Sequence, residues 1–328
     1  MTVRVLRAGV FSSVQAAPRV GFRSQGVSPG GALDYVAWRV VNLLLANDQR
    51  AAVFEITAGL VRLQFHDRRL VAWAGGEYEA LVGGRPLAAG HLALVESGEE
   101  LSLNGPREGF RAWLAISGGI DCPEVMGSYS TDLKGAFGGW RGRPLQDQDE
   151  IPLGPRSGHA IRLMARLANT KFSDWSAPFA WAHPASSPAV LHFVRGKEWE
   201  TFDEESRESF TSTTFSVAAD SDRMGVRLKG APLVRENEKD LLSEAVAPGT
   251  IQVPPGGDPI LLLGGCQTIG GYSKLAHVTS SDLPRAAQLR PGDHVIFQEI
   301  SLAEAHLRLW QLECELDKFA LGLEIANR

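Results

Sequence analysis

A mainly β fold in two halves is predicted from three features of the sequence. Glycine is abundant, at 35 of 328 residues, with 18 prolines beside it; the glycine share exceeds the ~7% average and implies many tight turns. Short apolar runs separated by turn residues recur from about 53 to 165, the spacing of a barrel or a sandwich. A stretch rich in Ala, Ser and Pro at 168–189 then precedes a second strand-rich run. It reads as a linker or a long crossing loop. Domains are therefore expected at 1–180 and 181–328.

The elements follow in order. Val3 to Val10 is apolar and β-branched, a strand signal. After a glycine-rich turn at 26–31, residues 35–46 place Val36, Val40, Leu43 and Leu44 at helical spacing, with Asp34 as the N-cap. FEIT, VRLQF, LVAWAGG, HLALVESGEELSL and FRAWLAISGGI read as strands, and NGPREG as a loop. In the second half VLHFVRG opens as a strand and EESRESFTS as a short surface helix. Further strands surround the polar DSDRMG loop and the PPGGD turn, and DLPRAAQ is a short helix before a last strand. The tail from Ser301 differs. Apolar residues at 302, 305, 309, 312, 316, 319 and 323 form one helical stripe, and Ser301 with Glu304 forms a capping box. The stripe is expected to pack on a barrel, with a partner-binding face as the alternative.

Composition excludes several functions. The net charge of −5, with no basic run, argues against nucleic-acid binding, which needs clustered Lys and Arg. No stretch approaches the ~20 apolar residues of a membrane span. The N-terminal segment lacks the apolar core of a signal peptide. Cys122, Cys266 and Cys314 are scattered and show no C-x-x-C spacing, as expected of reduced thiols. A soluble, cytoplasmic protein is expected. The eight histidines show no H-x-x-x-H or H-E-x-x-H spacing, so no metal site is expected. No G-x-S-x-G elbow is present.

Four stretches carry candidate chemistry. GGCQTIGGYSK, 264–274, fails both nucleotide motifs, since Tyr272 and Ser273 separate Gly271 from Lys274. Its glycines, Gly270 and Gly271 among them, let backbone amides approach a ligand. Gln267 and Thr268 can hydrogen-bond an amide or carboxylate, Tyr272 offers a flat wall, and Lys274 offers a positive charge. A plain glycine-rich hairpin is the simpler reading. In DSDRMG, 220–225, Arg223 can grip a carboxylate with Asp222 as orienter or base, or the charges can pair among themselves. GVSPGGALD, 26–34, can present helix amides to an anion or serve only as a capped turn. In MGSYSTDLKGAFGG, 126–139, Asp132 and Lys134 share a face if the segment is extended, or the segment is a solvated loop.

Taken in order, SPGGALD, GSYSTDLKGAFGG, SDRMGVRLKG and IQVPPGGDPILLLGGCQTIGGYSKLAHVTSSDLPRAAQLRPGD resemble the biotin-dependent carboxyltransferase-like family, also called allophanate hydrolase subunit 2-like. The likeness runs from about residue 20 to 320. It implies two cyclophilin-like β-barrel domains with a few short helices and a C-terminal helix. It also implies one component, of the C type, in a multi-protein, ATP-dependent 5-oxoprolinase that opens 5-oxoproline to L-glutamate. The partners implied are a subunit 1-like protein, the B-type component, and a third protein, the A-type component. Under that resemblance Lys274 and Arg223 stabilise charge, Asp222 and Asp132 act as acid–base or orienting groups, and Gln267, Thr268, Gly270, Gly271 and Tyr272 bind the amide substrate. ATP is expected to serve the assembled complex, with no cofactor bound by this chain alone. Two alternatives stay open: a carboxyltransferase-type protein for a urea-like amide, and a regulatory protein that binds a kinase-inhibitor partner. No lysine lies in an A-M-K-M context, so biotin would come from another chain. The family often has aspartate where Gly265 stands, proline where Ser273 stands and arginine where Tyr129 stands.

Overall fold

In the computed structural model, which describes residues 1–182, 188–236 and 241–326, the chain divides into two units. The first takes Met1–Arg19, Asp34–Ala185 and Leu316–Arg328; the second takes Val20–Leu33 and Ser186–Glu315.

The first unit is built from two kinds of strand. Thr2–Ala8 and Gly59–Phe65 bury alternate residues, Val3 and Val5 on one and Val61, Leu63 and Phe65 on the other. They lie in a six-stranded sheet ordered Glu150–Pro152, Thr2–Ala8, Gly59–Phe65, Glu100–Gly105, Glu79–Val82, Arg85–Pro86. Arg69–Gly75 and Arg111–Ile116 are buried at every position. They sit in a five-stranded sheet ordered Phe11–Gln15, Val53–Thr57, Arg111–Ile116, Arg69–Gly75, Leu92–Val95. The inner side chains of both sheets share one core, where Val5, Leu63 and Leu101 meet Val71, Trp73 and Leu114. The other face of the five-stranded sheet carries the helix Tyr35–Leu44. A sheet covered on both faces needs continuous apolar strands, and LVAWAGG and FRAWLAI supply them.

Asp34 caps that helix as expected: its Oδ1 accepts the Ala37 N–H at 2.8 Å. Asp34→Ala should cost about 1–2 kcal/mol, seen as a lower midpoint in denaturant unfolding.

One expectation is corrected here and one choice between alternatives is narrowed. The strand pattern does not continue to 165, because Gly158–Arg166 is a helix capped by Ser157, with Ala160, Leu163 and Met164 buried. Of the two readings of the stretch after 168, a linker or a long crossing loop, the described part fits the loop. Ser173 Oγ accepts the Leu92 N–H at 3.0 Å, Ala177 N–H donates to Gly90 O, and Phe179–Ala182 is helical. Residues 183–187 of that stretch lie outside the described residues.

The second unit holds a closed seven-stranded barrel. Its order is Ala189–Arg195, Ser273–Val278, Thr250–Val253, Ile260–Leu262, Gly225–Lys229, Phe215–Val217, His294–Glu299. The last strand returns to the first by parallel pairing, Ala189 opposite Val295. The expected surface helix is Glu204–Ser212, capped by Asp203. Its Phe210 is fully buried among Phe193, Trp199, Phe215 and Phe297, and stacks on Phe297 at 4.6 Å between ring centres.

The C-terminal helix runs Leu302–Ala326. Its capping box is half formed. Ser301 Oγ accepts the Glu304 N–H at 3.1 Å, but the Glu304 carboxylate turns to Arg308 at 2.7 Å. On the expected stripe Ala305 and Leu316 are buried and Leu309, Leu312, Phe319 and Leu323 are half-buried, while Leu302 is exposed. Arg308 reaches the His192 ring at 3.1 Å, and His192 Nδ1 in turn meets Asp282 at 2.7 Å.

Candidate functional site

Three of the four glycine-bearing stretches meet in the second unit. Gly264 O accepts the Gly30 N–H at 2.9 Å and the Ser28 hydroxyl at 3.1 Å. Gly265 N–H donates to Arg223 O at 3.0 Å, and Arg223 Nη2 donates to Gly31 O at 2.7 Å. Backbones this close crowd any side chain at 264 or 265. A Cβ at position 265 would lie 2.9 Å from Arg223 O, and one at 264 would lie 3.0 Å from Gly30 O. The absence of aspartate at 265 therefore has a local steric counterpart. Asp222 serves its own turn, with Oδ1 accepting the Met224 N–H at 2.7 Å and the Gly225 N–H at 3.2 Å.

Beyond the knot the loop runs into a polar cluster. Ile269–Gly270 pairs with Glu244–Ala245, and Thr268 O accepts the Val246 N–H. Gln267 Nε2 donates to Gln252 Oε1 at 3.2 Å. A Cβ on Gly270 would lie 2.7 Å from Gln252 Nε2, so this glycine lets the amide pack against backbone. Gln252 stands opposite Lys274 in the barrel, which places both side chains on one face.

Lys274 is 5% exposed. A buried ammonium requires anionic partners, and two glutamates provide them. Glu198, itself buried, accepts the Lys274 backbone N–H at 2.9 Å and lies 3.7 Å from Nζ. Glu244 lies 3.3 Å from Nζ and also 2.6 Å from Lys197 Nζ. Lys197 first, then Lys274, holds the Glu244 carboxyl below its usual range. Nearby on the same strand, His277 meets Thr250 Oγ1 at 3.3 Å, and burial pushes its imidazolium towards deprotonation. Burial also raises the Cys266 thiol to about 11, so it stays protonated at neutral pH.

The His277 shift has a sign. A depressed folded value means that the unfolded chain binds the proton first, so stability is full above pH 6.5 and falls as pH drops below it. Melting temperature is therefore expected to decline from pH 7 to 5, and His277→Gln should flatten that slope.

Tyr272 is half exposed and, with Gly271 and Ser273, lines a cleft of about 540 Å³ whose further walls include Leu233, Val253 and Pro254. Asp132 belongs to the first unit. It sits in a tight turn rather than an extended segment, with Oδ1 accepting the Gly135 N–H at 2.8 Å and its backbone paired with Phe137. Lys134 in that turn is exposed. Sequence reasoning missed Glu198, Glu244 and Gln252. The available signal was Lys274 itself, placed in a strand where a lysine must be neutralised. Among the described residues no group of three or more His, Cys, Asp or Glu could hold a metal ion, and no helix is long and apolar enough to cross a membrane.

Known proteins share this architecture. Residues 25–299 match the carboxyltransferase domain, subdomain A and B. The chain is 35% identical to the C subunit of 5-oxoprolinase from Escherichia coli strain K12, over 92% of this chain and 93% of that protein. It is 31% identical to urea amidolyase of Lachancea kluyveri over 90% of this chain, but spans only 17% of that protein. The crystal structure of the K. lactis urea amidolyase superposes with a TM-score of 0.88 at 27% identity, covering 97% of this chain and 20% of that one. With the family domain matched across most of its length, the chain belongs to the carboxyltransferase family, subdomain A and B.

Proposed function

We propose that this chain is the C-type component of an ATP-dependent 5-oxoprolinase, opening the lactam of 5-oxoproline to L-glutamate together with B-type and A-type components. One observation carries this reading: the likeness to the C subunit of 5-oxoprolinase covers 92% of this chain and 93% of that protein, whereas the chain spans only 17% of the urea amidolyase of Lachancea kluyveri.

The chemistry is consistent with the site. An unstrained lactam resists hydrolysis until its carbonyl is activated. Phosphorylation of that oxygen by ATP would activate it, and the charge then developing must be stabilised. Lys274 is the cation for that task, and Gln267 and Thr268 orient the amide beside Gln252. Tyr272 forms the wall of the neighbouring cleft. We assign Arg223 and Asp222 to holding the loop, since they hydrogen-bond backbone groups of Gly31, Met224 and Gly225. The chain carries neither nucleotide-loop motif at 264–274, so ATP is assigned to the assembled complex.

The test is glutamate release from 5-oxoproline by the co-purified three-component complex. Release that requires ATP supports the reading; a folded complex that releases none overturns it. A second reading draws on the structural match to urea amidolyase: a carboxyltransferase step on a urea-like amide. Activity that requires biotin on another chain would favour it.

A further inference from the structure

With Lys274 taken as the substrate-site cation, as proposed above, its two glutamates decide which ligands it admits. They differ in kind. Glu198 is fixed: it is buried, and its Oε2 grips the Lys274 backbone N–H at 2.9 Å. At 3.7 Å from Nζ it neutralises the ammonium without reaching hydrogen-bond distance. Glu244 is movable. Its side chain is 42% exposed, and its two oxygens are divided between Lys274 at 3.3 Å and the exposed Lys197 at 2.6 Å. Glu244 can therefore let go of Lys274 and keep a cation.

An ammonium has three donors and no acceptor capacity. When Glu244 leaves, the buried Nζ must find another acceptor. A carboxylate replaces Glu244 charge for charge. A neutral amide offers an acceptor but forfeits the charge–charge attraction, so Glu244 outcompetes it. We propose that Glu244 is a displaceable counterion of Lys274, and that the site thereby selects amides bearing a carboxylate over neutral amides. The anionic lactam 5-oxoproline fits this rule and urea does not.

The experiment is calorimetric titration of the full-length chain with 5-oxoproline and with pyrrolidin-2-one, the same lactam without its carboxylate. Wild type should bind 5-oxoproline at least about tenfold more tightly. Glu244→Gln removes the competing charge and should tighten 5-oxoproline about fivefold to tenfold, because the competent state is no longer taxed by its own counterion. Pyrrolidin-2-one should tighten as well, because Glu244 no longer outcompetes it, but should still bind more weakly than 5-oxoproline. Lys197→Met removes the alternative partner of Glu244 and should weaken 5-oxoproline. Both side chains reach solvent, and a thermal melt confirms that each variant is folded. Equal affinity for the two lactams, weaker 5-oxoproline binding in Glu244→Gln, or no binding of either lactam by folded chain would overturn the proposal. Failure here is separable from failure of the functional reading. Glutamate release without anion preference removes only the counterion role, and anion preference without release removes only the assigned reaction.

Discussion

Lys274→Met should lower ATP-dependent glutamate release by the assembled complex about 100-fold or more, the loss typical of removing one preorganised charge-stabilising group. The substitution also strips Glu198 of its cation. A buried carboxylate left alone costs about 3–5 kcal/mol, so lost activity could reflect a lost fold. The double variant Lys274→Met with Glu198→Gln separates the two effects. Glutamine can still accept the position-274 backbone N–H that Glu198 now holds at 2.9 Å, and it carries no charge to strand. The double variant should recover most of the melting temperature and none of the release. If it recovers release as well, Lys274 is a structural cation and its role in the reaction falls.

The second large effect is on stability. Phe210→Ala should destabilise the second unit by about 3–5 kcal/mol, measured by denaturant unfolding followed through tryptophan emission, since Trp199 lies against Phe210 at 6.1 Å. Phe210 is fully buried and contacts rings from three barrel strands and from Trp199. Deleting it removes transfer energy and leaves a void that several rings must close at once. Phe210→Leu keeps most of the volume and should cost markedly less. A cost below about 1 kcal/mol for the alanine variant would show that the helix Glu204–Ser212 is peripheral to the core.

Local features were the legible ones. Asp34 sits next to the helix it caps, and Ser301 lies three residues from the amide it accepts. The reciprocal half of the Ser301 box failed because Arg308, one turn on, outcompetes a backbone amide for the Glu304 carboxylate. Gly158–Arg166 has buried apolar residues at 160, 163 and 164, followed by its C-cap Leu167, but the strand-like runs before it mask that period. The charge partners of Lys274 were not legible. Glu198 lies 76 residues away in the chain, and nothing local distinguishes it from the other glutamates. Only barrel closure selects it. The glycine knot was half legible: the sequence marks each stretch as tight, but not that Gly264 O would accept from both Gly30 and Ser28.

The interleaving of the two units has a genetic consequence. Val20–Leu33 is encoded within the first half of the gene yet belongs to the second unit, and the helix Leu302–Ala326 is shared, its residues up to Glu315 counted with one unit and those from Leu316 with the other. No single cut yields a gene fragment encoding either unit whole. Domain shuffling by one crossover anywhere between residues 34 and 185 would therefore produce chimaeras in which both units are of mixed parentage, and the pair is expected to be inherited as one cassette. Its appearance as a block inside the much longer urea amidolyase chain is in keeping with that.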